Sequence, residues 1–314
     1  METLEAGVAA LCVDDAEETY PFDEAARLAL GRGACSVDLS PDGSQALVAV
    51  GFKGVVLLDV DSRTEKEYRS LIPGAYFRNA FFLDDWRNMA VSMDGFVNLM
   101  FAGASPHNRV SEHGDFRVSA ASKDGRFFAM SRGHRIYLFD ARTGACLKVL
   151  SIDADLFLLA FSPDGTLLVA SGQKMAWLWS TTEPHALVRA FSISQVYTVN
   201  FDIAISPDNA MVVLCMSDGI RAWSTRTGEL LFVMDEYSTN NFAMSFAFLD
   251  DGKAFLVGTR HGALVLHRTR TRAVIRHIDH FRLSVSCISV SRDGRRIAAC
   301  SDFGEVCVWT INKK

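Results

Sequence analysis

Seven aspartates at regular intervals are the residues of this chain best suited to acid–base chemistry. They are Asp42, Asp84, Asp124, Asp164, Asp208, Asp251 and Asp293. Paired carboxylates can serve as general acid and general base in hydrolysis. Most of these aspartates, however, are followed directly by glycine, and Asp-Gly is typical of a tight β-hairpin turn because glycine takes positive φ without steric penalty. Their turn positions therefore explain the aspartates without catalysis.

Metal-ligand spacing is absent from the cysteines and histidines. The chain has seven cysteines and eight histidines, with no Cys-x-x-Cys. The closest histidines, His277 and His280, have no second ligand pair nearby. An odd number of scattered cysteines is typical of a reducing compartment, where thiols serve as small buried apolar groups. We expect neither a metal site nor a bound cofactor.

Other catalytic motifs are also missing. The sequence has no Gly-x-Ser-x-Gly elbow, no His-Glu-x-x-His and no phosphate-binding loop, because its glycines fall at hairpin positions. The pattern predicts a protein that is not an enzyme and has no catalytic residues.

Charge and hydropathy narrow the choice of partners. The net charge is −5, and no continuous basic stripe occurs, so direct sequence-specific nucleic-acid binding is not expected. No apolar run approaches the roughly 18 residues that indicate a membrane span. The first five residues contain no basic residue, so they do not resemble a secretory signal. These features predict an intracellular protein that does not bind membranes.

The elements that carry the aspartates are clearest in residues 157–191. This stretch has four apolar runs of about five residues separated by three turn-forming segments, the first being Ser162-Pro163-Asp164-Gly165. Runs this short, bounded by turn residues, are typical of strands. The stretch is predicted to be a four-stranded antiparallel meander.

The same unit recurs along the chain. The residues after the seven aspartates (43, 85, 125, 165, 209, 252 and 294) are 40 to 44 residues apart, a spacing typical of propeller blades. The last repeat has only three strand patterns, whereas residues 25–30 repeat the outer-strand pattern without inner partners. We therefore predict an all-β fold, a seven-bladed β-propeller of four-stranded blades over residues 21–314, closed by residues 25–30. Residues 1–20 form an acidic N-terminal extension.

These repeats resemble the WD-repeat β-propeller family over about residues 25–311. The Ser-Pro-Asp-Gly turn carries the resemblance, together with an aromatic residue closing the third strand, as at Trp179, Trp223 and Trp309. The family's Trp-Asp pair is absent as such, so its buried polar network is mostly missing, and we expect apolar packing between blades. The resemblance implies a rigid scaffold that binds proteins through short linear motifs.

Within that family the chain resembles the small WD-repeat subunit shared by COMPASS-type histone methyltransferases and PNUTS phosphatase complexes. The similarity lies in the outer strand before Ser40-Pro41-Asp42-Gly43, in a short fourth blade at 160–191, and in irregular fifth and sixth blades around 237–248. It implies a nuclear scaffold subunit, monomeric within a larger complex that acts in chromatin modification or transcription termination. The alternative is an adaptor propeller of the kinetochore-checkpoint or mRNA-export type.

Candidate partner contacts are exposed aromatics and cations on the face formed by the second turn of each repeat and the connections between repeats. Anchors at protein interfaces are enriched in Tyr, Trp and Arg. The predicted set is Phe52, Tyr76, Arg78, Arg117, Arg132, Lys174, Tyr197, Tyr237, Arg260, Phe281 and Phe303.

Overall fold

The fold is built from short antiparallel strands joined by tight turns. The computed structural model describes residues 20–30, 33–68, 76–83, 88–93, 96–101, 116–193, 199–238, 240–279 and 281–312. In chain order the strands are β1 Phe22–Ala29, β2 Ala34–Leu39, β3 Gln45–Val50, β4 Gly54–Asp59, β5 Glu65–Tyr68, β6 Phe77–Phe82, β7 Asn88–Met93, β8 Phe96–Phe101, β9 Phe116–Ala121, β10 Phe127–Arg132, β11 Arg135–Asp140, β12 Cys146–Ser151, β13 Leu158–Phe161, β14 Leu167–Ser171, β15 Met175–Ser180, β16 Leu187–Ser192, β17 Asn200–Ile205, β18 Met211–Met216, β19 Gly219–Ser224, β20 Leu230–Met234, β21 Ala243–Leu249, β22 Ala254–Thr259, β23 Ala263–Arg268, β24 Val274–Asp279, β25 Val285–Val290, β26 Arg296–Ser301 and β27 Glu305–Ile311.

The turn between β13 and β14 shows why the repeat folds as it does. Gly165 has φ 69°, as the Asp-Gly pattern predicts. Ser162 Oγ donates to Asp164 Oδ1 at 2.6 Å, and Thr166 N donates to the same oxygen at 3.0 Å. Burial opposes ionisation of Asp164, but hydrogen bonds from Ser162, Thr166 and Asn209 outweigh it and lower the Asp164 pKa to about 2.

The same serine–aspartate hydrogen bond recurs in the first turns of other repeats. It joins Ser40 to Asp42, Ser122 to Asp124, Ser206 to Asp208 and Ser291 to Asp293. These aspartates therefore brace hairpins, in agreement with the turn interpretation.

Six sheets have four antiparallel strands, which confirms the predicted blade. The exception is the sheet β6-β7-β8, which has three strands in the described part of the chain. Seven four-stranded blades were predicted, and the described residues form six. Residues 102–115, which follow β8, lie outside the described residues.

The N-terminal strand belongs to the same sheet as the last three strands. β1 pairs antiparallel with β27, with Phe22 opposite Ile311 and Ala29 opposite Glu305. The sequence pattern predicted that this strand begins at residue 25, whereas β1 begins three residues earlier, at Phe22. Ala26, 2 % exposed, packs with Val308 between this sheet and the sheet of β2 to β5.

The core lies between neighbouring sheets rather than within any one of them. The buried apolar side chains of the described residues fall into seven clusters, and each cluster draws on two adjacent sheets. The innermost strands contact one another in the order β2, β6, β9, β13, β17, β21 and β25, and β25 also contacts β2. Among the described residues, no helix is long and apolar enough to cross a membrane.

Candidate protein-interaction surface

The most exposed aromatic side chain among the described residues lies in the turn between β3 and β4. Lys53 N donates to Val50 O at 2.8 Å, and Gly51 has φ 32°. This tight turn directs Phe52 away from the sheet, with 74 % of the side chain exposed. Because an exposed phenylalanine gains from leaving water, Phe52 is suited to anchor a partner.

Tyr76, just before β6, supports Phe52 from the neighbouring sheet. The two rings are 4.9 Å apart at 77°, an edge-to-face contact. A β-carbon on Gly51 would lie 3.3 Å from the Tyr76 ring, so the glycine permits this close approach. The Tyr76 hydroxyl lies 3.1 Å from Cys35 Sγ, which fixes the far end of the ring.

Arg78 adds a positive charge next to these rings. It is exposed at the second position of β6, and its guanidinium carbon lies 5.9 Å from the centre of the Tyr76 ring. This distance is within the range of a cation–π interaction. The three side chains therefore combine an exposed apolar group with a positioned cation.

Phe303, in the turn between β26 and β27, extends this surface onto the last sheet. It is 52 % exposed. Leu30 links the turn that holds Phe303 to the turn that holds Phe52. Leu30 N donates to Gly304 O at 2.8 Å, and Leu30 O accepts from Lys53 Nζ at 2.7 Å. We call Phe52, Tyr76, Arg78 and Phe303 the aromatic surface.

Three other predicted contacts lie in second turns elsewhere around the fold. Lys174 is exposed between β14 and β15, and Arg132 is half-buried at the end of β10. Arg260 is exposed after β22, with its guanidinium carbon 5.6 Å from the centre of the Phe242 ring. None belongs to the sheets that carry the aromatic surface. Arg117 lies on β9, and its side chain, like all of Tyr197, falls outside the described residues.

The prediction that Tyr237 is an exposed contact is wrong. Its side chain is 5 % exposed, and its hydroxyl lies 2.6 Å from His267 Nε2. A short 3₁₀ turn at Asp235–Tyr237 carries the ring back into the core between two sheets. Burial raises the pKa of the phenol well above its usual value, so the hydroxyl stays protonated.

Phe281 is likewise buried rather than exposed. It is 6 % exposed, and its ring packs edge-to-face on Trp309 with 6.1 Å between the ring centres. Phe281 N donates to Gly262 O at 3.2 Å, which holds this connection against the neighbouring turn. An apolar residue in a connection between sheets therefore completes the core here.

Charged groups around the central channel were not among the predicted site residues. The channel has a volume of about 610 Å³ and is lined by the inner strands. Lys123 Nζ donates to Val290 O at 2.6 Å, which joins two sheets across the channel. Burial raises the pKa of Asp38, although the charge of Lys123 opposes the shift.

Acidic side chains on inner strands also tie neighbouring sheets together. Asp38 Oδ2 accepts from Phe82 N at 3.0 Å, and Asp202 Oδ2 accepts from Phe246 N at 2.8 Å. Burial raises the pKa of Asp202 to about 6. The sequence signal for these ties was an aspartate among the apolar residues of an inner strand. In the described part of the chain, no three Asp, Glu, His or Cys side chains are grouped so that they could hold a metal ion.

Part of this chain is similar in sequence to known proteins. Residues 273–310, which span β24 to β27, match the family model described as WD domain, G-beta repeat. The chain is 24 % identical over 225 residues to WD repeat-containing protein 18 from Danio rerio, covering 62 % of this chain and 52 % of that protein. It is 22 % identical over 116 residues to intraflagellar transport protein 122 homolog from Mus musculus, covering 36 % of this chain and 9 % of that protein.

The chain thus spans about half or less of the length of these relatives. Propellers of this kind generally act as non-catalytic platforms for other proteins. The matched repeat, the WD-repeat relative and the antiparallel four-stranded sheets together support a WD-repeat β-propeller.

Proposed function

We propose that this protein is a non-catalytic interaction scaffold that binds a short segment of a partner protein on the aromatic surface. The observation that carries the proposal is Phe52, an apolar side chain held out into solvent against Tyr76. Arg78 and the exposed Phe303 give the same surface a cation and a second apolar anchor. Interfaces commonly rely on a few aromatic and arginine anchors of this kind.

We also propose that residues 21–314 form one closed ring of seven blades, with residues 1–20 as an acidic extension. Support comes from the pairing of β1 with β27 and from the contact of β25 with β2. A closed ring leaves no exposed sheet edge between the first and last blades. It would hold the Phe52 and Phe303 turns in a fixed arrangement, so the aromatic surface would be preorganised for binding.

The complex that this scaffold serves is, in our proposal, a nuclear assembly in chromatin modification or transcription termination, as the resemblance to the COMPASS and PNUTS subunit implies. An adaptor of the kinetochore-checkpoint or mRNA-export type is the second candidate. One relative is named for intraflagellar transport. The identity of the captured partners separates these possibilities, because a methyltransferase or phosphatase scaffold occurs only in the first.

The binding surface can be tested with the double variant Phe52→Ser, Phe303→Ser in the full-length protein. Affinity capture followed by quantitative mass spectrometry compares its partners with those of the wild type. Loss of one anchor commonly costs more than about 1 kcal/mol of binding free energy, so the pair should cost about 2 kcal/mol or more, and we expect at least roughly thirtyfold weaker binding of the partner.

A matched control removes equally exposed side chains elsewhere. Leu187 and Leu230, 53 % and 51 % exposed, lie on the outer strands β16 and β20. The double variant Leu187→Ser, Leu230→Ser should retain the partners. If the control loses them while the Phe52 and Phe303 variant retains them, the interface lies on the outer rim instead.

A further inference from the structure

Two cysteines lie directly opposite each other on neighbouring strands of the last sheet. Cys287 on β25 is the register partner of Cys300 on β26. Opposed residues in antiparallel strands have α-carbons roughly 4.5 to 5.5 Å apart. A disulfide needs α-carbons about 4.4 to 6.8 Å apart, so the backbone spacing suits one without rearrangement.

Both thiols lie on the same side of the sheet. Cys287 Sγ is 3.5 Å from Val37 O, and Cys300 Sγ is 3.9 Å from Ala34 O. Both carbonyls belong to β2, in the adjacent sheet. The two sulfurs therefore share one seam between sheets, and hydrogen bonding to Cys287, together with burial, raises the pKa of the Cys300 thiol.

The two thiols differ in access to small molecules. Cys287 is partly exposed and lines the central channel, whereas Cys300 is fully buried. A small oxidant that enters the channel would meet Cys287 first. Cys300 would then be the neighbouring thiol that completes the reaction.

We propose that Cys287 and Cys300 form an intramolecular disulfide when the protein encounters a hydroperoxide such as hydrogen peroxide. With hydrogen peroxide, the Cys287 thiol gives up its proton and the thiolate attacks one peroxide oxygen. The O–O bond breaks, Cys287 becomes a sulfenic acid, and the departing hydroxide takes up that proton and leaves as water. Cys300 sulfur then attacks the Cys287 sulfur, the S–S bond forms, and the S–O bond breaks to release a second water. Two thiols are oxidised and one peroxide is reduced.

The remaining described cysteines provide internal comparisons. Within the described strands, no other cysteine stands opposite a cysteine in the register. Cys146 is exposed on β12, and Cys215 is buried on β18. Cys35 Sγ is engaged with Gly33 O and the Tyr76 hydroxyl. We therefore expect the disulfide to be specific to one pair.

The test treats the folded, reduced, full-length protein with a few equivalents of hydrogen peroxide, blocks free thiols with N-ethylmaleimide, and maps peptides without reduction. The expected product has lost two hydrogens, about 2 Da, and contains one linked peptide pair joining Cys287 to Cys300. Dithiothreitol should reverse both changes. Oxidised Cys287 alongside maleimide-labelled Cys300, or a link between other cysteines, would overturn the proposal.

The variant Cys300→Ser tests the order of the two steps. Without its neighbour, Cys287 should stop at the sulfenic acid, which dimedone traps with a characteristic mass increase. Absence of trapped Cys287 in folded Cys300→Ser protein would contradict the proposed first step. If this substitution of a buried residue prevents folding, the peptide map of the wild-type protein still shows whether the disulfide forms.

Discussion

The Tyr237 hydroxyl donates a hydrogen bond to Nε2 of His267 across 2.6 Å. The direction follows from the other ring nitrogen, because Nδ1 lies 2.8 Å from Arg272 O and a carbonyl can only accept. Nδ1 therefore carries the proton and Nε2 is free to accept. Burial lowers the pKa of His267, which favours this neutral form.

Removal of that hydroxyl should destabilise the protein. In Tyr237→Phe, the buried Nε2 of His267 loses its donor, so we expect the free energy of unfolding to fall by about 1 to 3 kcal/mol. Urea denaturation followed by tryptophan fluorescence measures the change. Partner capture by the folded variant should be unchanged, since Tyr237 is buried. If Tyr237→Phe is as stable as the wild type but no longer captures the partner, Tyr237 contacts the partner after all.

The contrast between Tyr237 and Phe52 shows which features local sequence could predict. The positive φ of Gly165 and the exposure of Phe52 in its turn were predicted correctly, because a hairpin turn is determined by a few adjacent residues. Tyr237 and Phe281 were misassigned because their burial depends on side chains about 30 residues away, His267 and Trp309. Such contacts are not encoded in any short window.

The ties between sheets were missed for the same reason. Asp202 accepts a hydrogen bond from Phe246 N, 44 residues later in the chain. From sequence alone, this carboxylate was one polar residue beside an apolar inner strand. Ile203 N, next to Asp202 in the chain, donates to the same carboxylate, but the donor Phe246 N belongs to the neighbouring sheet, and no short stretch of sequence predicts that contact.

Asp202 should make stability depend on pH in an unusual direction. Its pKa of about 6 in the folded protein exceeds the roughly 3.9 of an unfolded aspartate. The folded state therefore binds the proton more tightly, and the stabilisation present below about pH 4 is lost as pH rises through 6. The loss from this group is at most about 3 kcal/mol, since one pKa unit corresponds to about 1.4 kcal/mol.

The variant Asp202→Asn isolates this contribution. Its amide oxygen can still accept from Phe246 N, but the side chain does not ionise. The unfolding free energy of the variant minus that of the wild type should therefore become more positive by about 1 to 3 kcal/mol between pH 4 and pH 7. The exposed Asp153→Asn is the control and should show no such trend. A constant difference for Asp202→Asn would mean that its carboxylate is already ionised at pH 4 in the folded state.

Two glycines in equivalent turns separate backbone strain from steric contact. Gly165 and Gly294 have φ of 69° and 67°. A β-carbon on Gly165 would lie 2.4 Å from Asp124 Oδ2, whereas one on Gly294 would have no neighbour within 4 Å. Asp124 cannot move freely, because it accepts hydrogen bonds from Ser122 Oγ and Arg126 N.

Both alanine variants should lose about 1 to 2 kcal/mol to the left-handed backbone conformation. Gly165→Ala should lose a further 1 kcal/mol or so from the contact with Asp124. Denaturant midpoints measured side by side give the difference. Equal midpoints would show that the Asp124 carboxylate can turn away without loss. A β-branched residue at position 165 should be worse than alanine, while Asp164→Asn should be mild because asparagine suits the same turn.

Deletions at the N-terminus test the role of β1 in the ring that we propose. Removal of residues 1–31 takes away the strand that pairs with β27, together with Ala26 from the core. Removal of residues 1–18 leaves Tyr20, which is 7 % exposed and donates through its hydroxyl to Asp250 Oδ2 at 3.1 Å. We expect the longer deletion to lower Tm by at least about 5 °C, and the shorter one to leave it within about 1 °C.

A substitution in the full-length chain checks that the effect comes from the strand itself. Ala26→Asp places a charge at a position 2 % exposed between two sheets, where it gains no partner, so Tm should fall as in the longer deletion. Arg27→Ala, on the same strand but exposed, should change Tm little, because its ion pair with Glu24 at 2.9 Å lies in solvent. If the protein lacking residues 1–31 has the same Tm as the full-length protein, the last sheet is stable with three strands, and β1 is not needed to close the proposed ring.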